Sequence, residues 1–149
     1  MTVGIAELGQ VAVPFTWLGA VLAISFLETP LKFRAPGITV PLGLGIGRLV
    51  FRALNVVELA FAAALTAAML ASASSVGVDL AAAALIALWI LLAGQVAVLR
   101  PRLDRRACQI LAGETPPHSR QHLVYIVLEG IKIMLLPVLG VLLALRLAV

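Results

Sequence analysis

The residues best able to do chemistry in this chain lie inside apolar stretches. Glu58 and Glu129 each stand in a run that is apolar enough to cross a bilayer. His122, Tyr125, Glu129 and Lys132 are spaced at i, i+3, i+7 and i+10, so on a helix they share an arc of roughly 80°. Ionisable groups at membrane depth are energetically costly and usually face a bundle interior or a water-filled cavity. The spacing therefore indicates a polar site inside a membrane protein.

A second polar stripe precedes Glu58. Arg48, Arg52 and Asn55 follow at i, i+4 and i+7, within about 60° of one another on a helix, and Glu58 adjoins them. At 1.5 Å per residue, Glu58 lies about 9 Å deeper than Arg52, which predicts a depth similar to that of Glu129. The two glutamates are expected to form a titratable centre that nearby cations tune.

Together these stripes predict one pocket that opens to the cytoplasm. Glu28 joins it because helical spacing places it on the face of Trp17, and Gln95 adds an amide. The predicted ion or ligand pocket comprises Glu28, Arg48, Arg52, Asn55, Glu58, His122, Tyr125, Glu129 and Lys132. Its three acids balance three bases, Arg48, Arg52 and Lys132. Two interpretations stay open: a functional site, tuned by Arg52 and Lys132, or buried ion pairs that fix helix register.

Composition assigns the chain to the membrane proteins. Of 149 residues, 62% are hydrophobic and 12% are charged. Four segments, 11–27, 50–73, 80–99 and 123–145, approach the roughly 20 apolar residues that a spanning helix needs. They are continuously apolar, unlike the alternating strands of a barrel. The prediction is one all-α integral membrane domain over residues 1–149, an antiparallel bundle of four transmembrane helices. The first segment is expected to be a retained span, since Glu7 and no cation precedes it.

Basic residues set the expected orientation. Lys and Arg concentrate in the connections 28–47 and 100–122 and at the start of the second span, and none lies between Ser72 and Asp79. The positive-inside rule places those two connections in the cytoplasm and both termini outside, in a multi-pass plasma-membrane protein. Arg146 is the single opposing charge. The net charge of +4 is expected to meet lipid headgroups rather than nucleic acid.

The sequence contains no clear motif for a cofactor or an enzyme activity. The two histidines, His118 and His122, could join the glutamates around a metal, but their spacing matches no dedicated motif and the single cysteine is Cys108. No metal site is predicted, and a cofactor stays unknown.

The glycine-rich stretch 35–48 lacks a Walker lysine, so it indicates either an interfacial loop or a helix start that attracts an anion beside Arg48. No catalytic motif is found, which favours a protein that is not an enzyme.

Several short motifs resemble a known family. They are Trp17-x-Gly19 followed by Ser25–Phe26 and Phe33, the Arg-Pro-x-Leu-Asp-Arg-Arg segment Arg100–Arg106, and a polar start to the last span from His118 to Glu129. In this the chain resembles small four-helix membrane proteins related to the copper-resistance D domain, which include a eukaryotic member associated with platinum-drug resistance. The resemblance implies a four-helix bundle with both termini on one side. The family's histidines in the first span are missing here, so metal handling is not carried over.

The sequence thus leads to two functional hypotheses. In the first, the protein binds or translocates a small ion or solute through the cytoplasm-facing pocket, with Glu58 and Glu129 at its centre. In the second, it is a structural or accessory subunit whose charged faces pair with another membrane protein or with anionic lipid. No internal repeat relates the two halves of the chain, so a homo-oligomer is expected to supply any symmetry that transport requires.

Overall fold

The computed structural model describes residues 5–72, 79–114, 117 and 120–147, and this part of the chain is helical with no strand. Helices run in the order α1 (Ile5–Val21), α2 (Thr29–Lys32), α3 (Val40–Ala71), α4 (Leu80–Ala93), α5 (Arg100–Leu111) and α6 (Gln121–Leu147). Two wide π-helical turns, Leu22–Glu28 and Gly94–Leu99, join α1 to α2 and α4 to α5. Residues 73–78 of the second connection and His118 lie outside the described residues.

Four of the resulting helical stretches are long and apolar enough to cross a membrane, which confirms the predicted number. They are Glu7–Lys32, Val40–Ala71, Leu80–Leu111 and Gln121–Leu147. At 26 to 32 residues they extend past the predicted apolar segments, because the charged residues beyond each apolar run continue the helix. The connections are correspondingly shorter than the predicted 28–47 and 100–122.

Polarity in this protein is inverted relative to a water-soluble one. Large apolar side chains such as Ile90 and Met134 are 67% and 65% exposed. Glu58, Glu129 and Lys132 are 1% exposed or less. An apolar exterior around a charged interior is the distribution that a hydrocarbon environment favours. The described fold is therefore compatible with a helical membrane protein.

The helices pack around one apolar core. α6 contacts α1 and α4, α1 also contacts α3, and α3 contacts α4. Trp17, Leu65, Leu88 and Leu136 are fully buried at its centre. Trp89 adds a polar link, since its indole N–H donates to Thr66 Oγ1 at 3.0 Å. Every long helix thus presents one face to a shared interior, which is where the charged residues lie.

Both wide turns end just before a proline. Pro30 and Pro101 are the second residues of α2 and α5. Proline has no N–H, so it cannot complete the i→i−4 bonds of a regular helix. The backbone instead forms longer bonds, from the N–H of Thr29 to Ile24 O and from that of Arg100 to Gln95 O. Such wide turns rotate the residues that follow them away from ordinary helical spacing.

The glycine-rich stretch is helical rather than a loop. α3 begins at Val40, after Thr39, whose hydroxyl accepts a hydrogen bond from the Leu42 N–H at 3.3 Å. A Cβ atom at Gly43 would lie only 2.3 Å from the Phe33 ring. The interpretation of residues 35–48 as a flexible interfacial loop is therefore wrong beyond residue 39. The glycine at position 43 serves close packing of the first connection on α3.

At the opposite end of the molecule, Asp79 caps α4. Its Oδ1 accepts a hydrogen bond from the Ala82 N–H at 2.9 Å, and its Oδ2 pairs with Arg146 at the end of α6. The Ala82 N–H, aided by the Arg146 guanidinium, holds the pKa of Asp79 below its ordinary value. Arg146, the charge that opposed the predicted orientation, is therefore paired with an acid.

Substituting Asp79 tests this cap. Asp79→Ala should lower the free energy of unfolding by about 1 kcal/mol, whereas Asp79→Asn retains an N-cap acceptor and should lower it less. Because the folded-state pKa is lowered, the carboxylate stabilises the fold above its ordinary pKa of 3.8 and loses this effect as pH falls through the folded value. Thermal unfolding in detergent at several pH values should show an acid limb that Asp79→Asn reduces. Identical pH profiles for wild type and Asp79→Asn would contradict a stabilising role of the Asp79 carboxylate.

Candidate functional site

At the centre of the protein one lysine contacts two glutamates. Lys132 Nζ lies 2.5 Å from Glu58 Oε1 and 3.0 Å from Glu129 Oε1. Glu58 comes from α3, and the other two residues lie one turn apart on α6. All three side chains are buried. We call this group the triad.

Two further donors hold the carboxylates. The Trp17 indole N–H donates to Glu58 Oε1 at 3.0 Å, and the Gln95 amide donates to Glu129 Oε1 at 3.1 Å. Each of the four membrane-length stretches thus supplies at least one side chain. Burial without a partner would be costly for any of these groups. The triad and its donors therefore also tie the four helices together.

The triad does not balance its own charge. When all groups are ionised, two carboxylates face one ammonium, which gives a net charge of −1. Among the described residues, Glu58 Oε2 and Glu129 Oε2 are buried and have no hydrogen-bond partner. A buried net charge with unpaired oxygens is strongly unfavourable. The arrangement can accommodate one more positive charge, either a proton or a small cation.

A small cavity reaches Glu129 from one side. It has a volume of about 40 Å³, and its wall includes Ser25, Thr29, His122, Tyr125 and Glu129. This volume is sufficient for a water molecule. Ser25 Oγ is buried there without a partner among the described residues. Glu129 thus lies in the wall of a small cavity that contains both polar and apolar side chains.

A larger cavity of about 260 Å³, the outer cavity, follows it toward the end of the molecule where α5 lies. Thr29, Phe51, His122 and Tyr125 line both cavities. Tyr125 is held in place, since its hydroxyl donates to Asn55 Oδ1 at 3.4 Å and its ring packs edge-on against Phe51 at 5.5 Å. These shared residues form the partition between the outer cavity and the triad.

Three arginines surround one aspartate beside the outer cavity. Asp104 accepts a hydrogen bond from Arg48 Nε at 3.4 Å, with Arg52 at 3.8 Å and Arg100 at 3.9 Å. Arg100 also donates to the Arg48 carbonyl. This outer cluster is rich in positive charge, in contrast to the triad.

The structure brings most of the predicted pocket residues together, but in two places. Glu58, Glu129 and Lys132 form the triad, and Asn55 and Tyr125 lie beside it. Arg48 and His122 line the outer cavity. The single balanced cluster of three acids and three bases is therefore not what forms.

Two predicted residues lie apart from the triad. Glu28 is partly exposed and pairs with Lys32 at 3.3 Å, because the wide turn before it changes the helical spacing that was assumed. Arg52 has a side chain that is 68% exposed and contacts Asp104 instead of Glu58. Its long side chain leaves the helix toward the charged end, and its role in tuning the glutamates stays a prediction.

Sequence reasoning missed three important partners. The helical spacing uses Trp17 only to place Glu28 on a helix face, and it adds Gln95 only as an amide in the pocket. Both side chains nevertheless donate hydrogen bonds to the triad. Each is a polar group in an apolar run, and a buried indole N–H usually needs an acceptor. For Asp104, nothing in the spacing of the sequence indicates that it contacts Arg48 of α3.

A metal centre has no support in the described part of the chain, where no group of three His, Cys, Asp or Glu side chains could hold an ion. His118, once considered as a ligand, lies outside that part. Cys108 is exposed and is not in a disulfide.

Comparison with known proteins adds no assignment. No family model, curated protein or solved structure matches the chain. The resemblance to proteins related to the copper-resistance D domain therefore stays a prediction. Evidence for a function therefore comes from the geometry of the triad and its cavities.

Proposed function

We propose that this membrane protein binds or translocates a small cation, most simply a proton, at the triad through a polar pocket that faces the cytoplasm. The observation that carries the proposal is the pairing of two buried carboxylates with one ammonium. A proton on either carboxyl group would neutralise the triad and give an unpaired oxygen a hydrogen to donate. Lys132 supplies the positive charge that contacts both carboxyl groups.

A proton fits the surroundings better than a metal ion. Lys132 occupies the position between the two carboxylates that a bridging cation would take. The remaining oxygens, Glu58 Oε2 and Glu129 Oε2, are too few to satisfy the six or more oxygen ligands that calcium or magnesium prefers. Proton relays of acidic residues are a common use of ionisable groups at membrane depth.

The route in this proposal leads from the outer cavity past His122 and Tyr125 to Glu129. Support comes from the four residues that line both cavities and from the position of Glu129 in the wall of the smaller one. Water in the smaller cavity would connect the partition to the carboxylate. Glu58 would then receive a proton from Lys132 Nζ, and protonated Glu129 would return a proton to the lysine, since Nζ contacts both carboxyl groups.

We propose that the four helices insert as an antiparallel bundle in the plasma membrane, with the outer cavity toward the cytoplasm. Support comes from the basic residues Arg48, Arg52 and Arg100, which meet at one end of the molecule. The opposing charge, Arg146, is offset by Asp79. Cytoplasmic connections carry an excess of Lys and Arg in membrane proteins.

Glu129→Gln tests this proposal. The substitution leaves the Glu58–Lys132 pair neutral, so the fold should persist while the capacity for the extra proton is lost. In liposomes with an entrapped pH-sensitive dye and a potassium diffusion potential, wild type should acidify or alkalinise the lumen. Glu129→Gln should fall to the rate of protein-free liposomes. A single-turnover proton uptake measurement in detergent should likewise lose its signal.

Glu114→Gln is the matched control, because Glu114 is an exposed carboxylate in the connection after α5. It should move protons as wild type does. Undiminished flux and proton uptake in Glu129→Gln would contradict the proposed role of the triad. Helical content and unfolding temperature, measured in parallel, separate loss of function from loss of fold.

The second candidate is an accessory subunit, favoured by one observation. Arg52 extends from α3 with 68% of its side chain exposed, which would allow it to pair with an acidic partner chain or an anionic headgroup. This candidate predicts stable co-purification with another membrane protein. Isolation as a lone chain or as a homo-oligomer, with proton flux intact, would decide against it.

A further inference from the structure

The outer cavity carries an excess of positive charge that the proposed proton site does not use. Lys32, Arg48, Arg100 and Arg106 line it, and Asp104 is the one carboxylate in its wall. Lys32, Arg48, Arg100 and Asp104 together carry a charge of +2. The salt bridge from Lys32 to Glu28 at 3.3 Å lowers this local excess to +1. The cavity is therefore suited to an anion.

Asp104 leaves the surrounding arginines incompletely paired. Only Arg48 Nε, at 3.4 Å, is within hydrogen-bond distance of it, whereas Arg52 and Arg100 lie at 3.8 and 3.9 Å. Arg100 Nε is buried and has no partner among the described residues. A buried guanidinium N–H without an acceptor is unfavourable. Arg100 lines the outer cavity, so an anion bound there would give its guanidinium group a further acceptor.

The cations are fixed in place by the ring of Phe51. Lys32 Nζ lies 5.7 Å and the Arg100 guanidinium carbon 5.9 Å from its centroid. Cation–π contacts at this distance hold the charged groups without neutralising them. Donors held in position in this way lose less conformational entropy when a ligand binds. The outer cavity is thus organised before any ligand arrives.

Much of the remaining wall is apolar. Phe33, Leu44, Leu103 and Ile110 line the same cavity as the arginines. Guanidinium groups match the geometry of phosphate oxygens. A phosphate attached to an apolar or partly apolar body would use both parts of the wall.

We propose that the outer cavity binds a phosphate group, carried either by the headgroup of an anionic lipid or by a free phosphate compound from the cytoplasm. The ligand has a charge opposite to that of the proton bound at the triad, and it occupies a different cavity. Phosphate binding in the outer cavity therefore depends on the contacts of that cavity and does not require proton transport.

Binding to the purified protein in dodecylmaltoside tests it with two probes. Calorimetric titration with inorganic phosphate, at constant ionic strength, measures the free source. Native mass spectrometry with dioleoylphosphatidic acid, against dioleoylphosphatidylcholine, measures the lipid source. One saturable site for phosphate identifies the free compound, and one retained phosphatidic acid per chain, without phosphate binding, identifies the lipid.

Charge-neutral variants locate the site. Arg100→Gln and Arg48→Gln should each weaken binding roughly tenfold, or by about 1.4 kcal/mol, because each removes a charged hydrogen-bond donor from the site. Arg105→Gln is the matched control, since Arg105 is an exposed arginine on α5 that does not line the cavity. It should bind either probe as wild type does.

Two outcomes would overturn the proposal. One is the absence of saturable binding of both probes by the wild-type protein. The other is equal binding by Arg100→Gln, Arg48→Gln and Arg105→Gln, which would show attraction by net charge alone. Arg100 also donates a hydrogen bond to the Arg48 carbonyl. If Arg100→Gln does not fold for this reason, the binding measured for Arg48→Gln decides the outcome.

Discussion

Replacing Lys132 with methionine is expected to lower the free energy of unfolding by about 3–5 kcal/mol, because it leaves two buried carboxylates without a cation. Both glutamates are at most 1% exposed, and Lys132 is the cation that contacts them in the described structure. Methionine has a similar length, so the change removes charge with little change in volume. The free energy of unfolding can be measured by titration with sodium dodecyl sulfate in mixed micelles.

Removing all three charges together should be far less damaging. A variant with Lys132→Met, Glu58→Gln and Glu129→Gln has no buried charge, and replacing a complete buried ion pair is often close to neutral. We expect it to regain more than half of the stability that Lys132→Met loses. If the triple variant is less stable than Lys132→Met, charge imbalance is not the cause.

Arg146→Met is the matched control for the loss of a cation. Its partner Asp79 is exposed, and exposed ion pairs contribute at most about 1 kcal/mol. Arg146→Met should therefore be close to wild type in the same titration. Equal effects of Lys132→Met and Arg146→Met would contradict the view that the triad is desolvated.

The second large effect is expected at Trp17. Trp17→Ala should cost about 3–5 kcal/mol, since it removes a fully buried side chain from the core. Trp17→Phe retains most of the ring and removes the N–H that donates to Glu58. It should cost about 1.5–3 kcal/mol, the range for a hydrogen bond to a charged group.

Trp89→Phe isolates the contribution of charge. Trp89 donates to Thr66 Oγ1 at 3.0 Å, the same distance as from Trp17 to Glu58 Oε1, but to a neutral acceptor. Its loss should cost about 0.5–1.5 kcal/mol. If Trp17→Phe and Trp89→Phe are equally destabilising by the same measurement, Glu58 does not act as an ionised acceptor for Trp17.

The sequence was sufficient to find the triad because α6 is regular. Tyr125, Glu129 and Lys132 obey ordinary helical spacing from Gln121 to Leu147, so their shared face could be derived from their positions alone. The place of Glu58 in the site could be predicted because this acidic residue stands within an apolar run. The number of membrane-length helices followed from composition in the same way, because the hydrocarbon thickness fixes a minimum length.

Where the helix is not regular, the same reasoning failed. The wide turn at Leu22–Glu28 changes the helical rotation between Trp17 and Glu28, so the two side chains no longer share a face. The prolines that follow the two wide turns, Pro30 and Pro101, were visible, but a proline alone does not say whether a helix ends, bends or widens. The contact of Asp104 with the arginines of α3 depends on how separate helices pack, which no local pattern contains.

The depth of the triad has a consequence for its response to voltage. Glu58 lies ten residues beyond Arg48, or about 15 Å along α3, which is roughly half of the hydrocarbon thickness. A monovalent cation that reached it from the outer cavity would cross about half of the transmembrane potential. That corresponds to about 1 kcal/mol for each 100 mV, or about a sevenfold change in affinity. Occupancy of the triad would then depend on the electrical state of the membrane as well as on cation concentration.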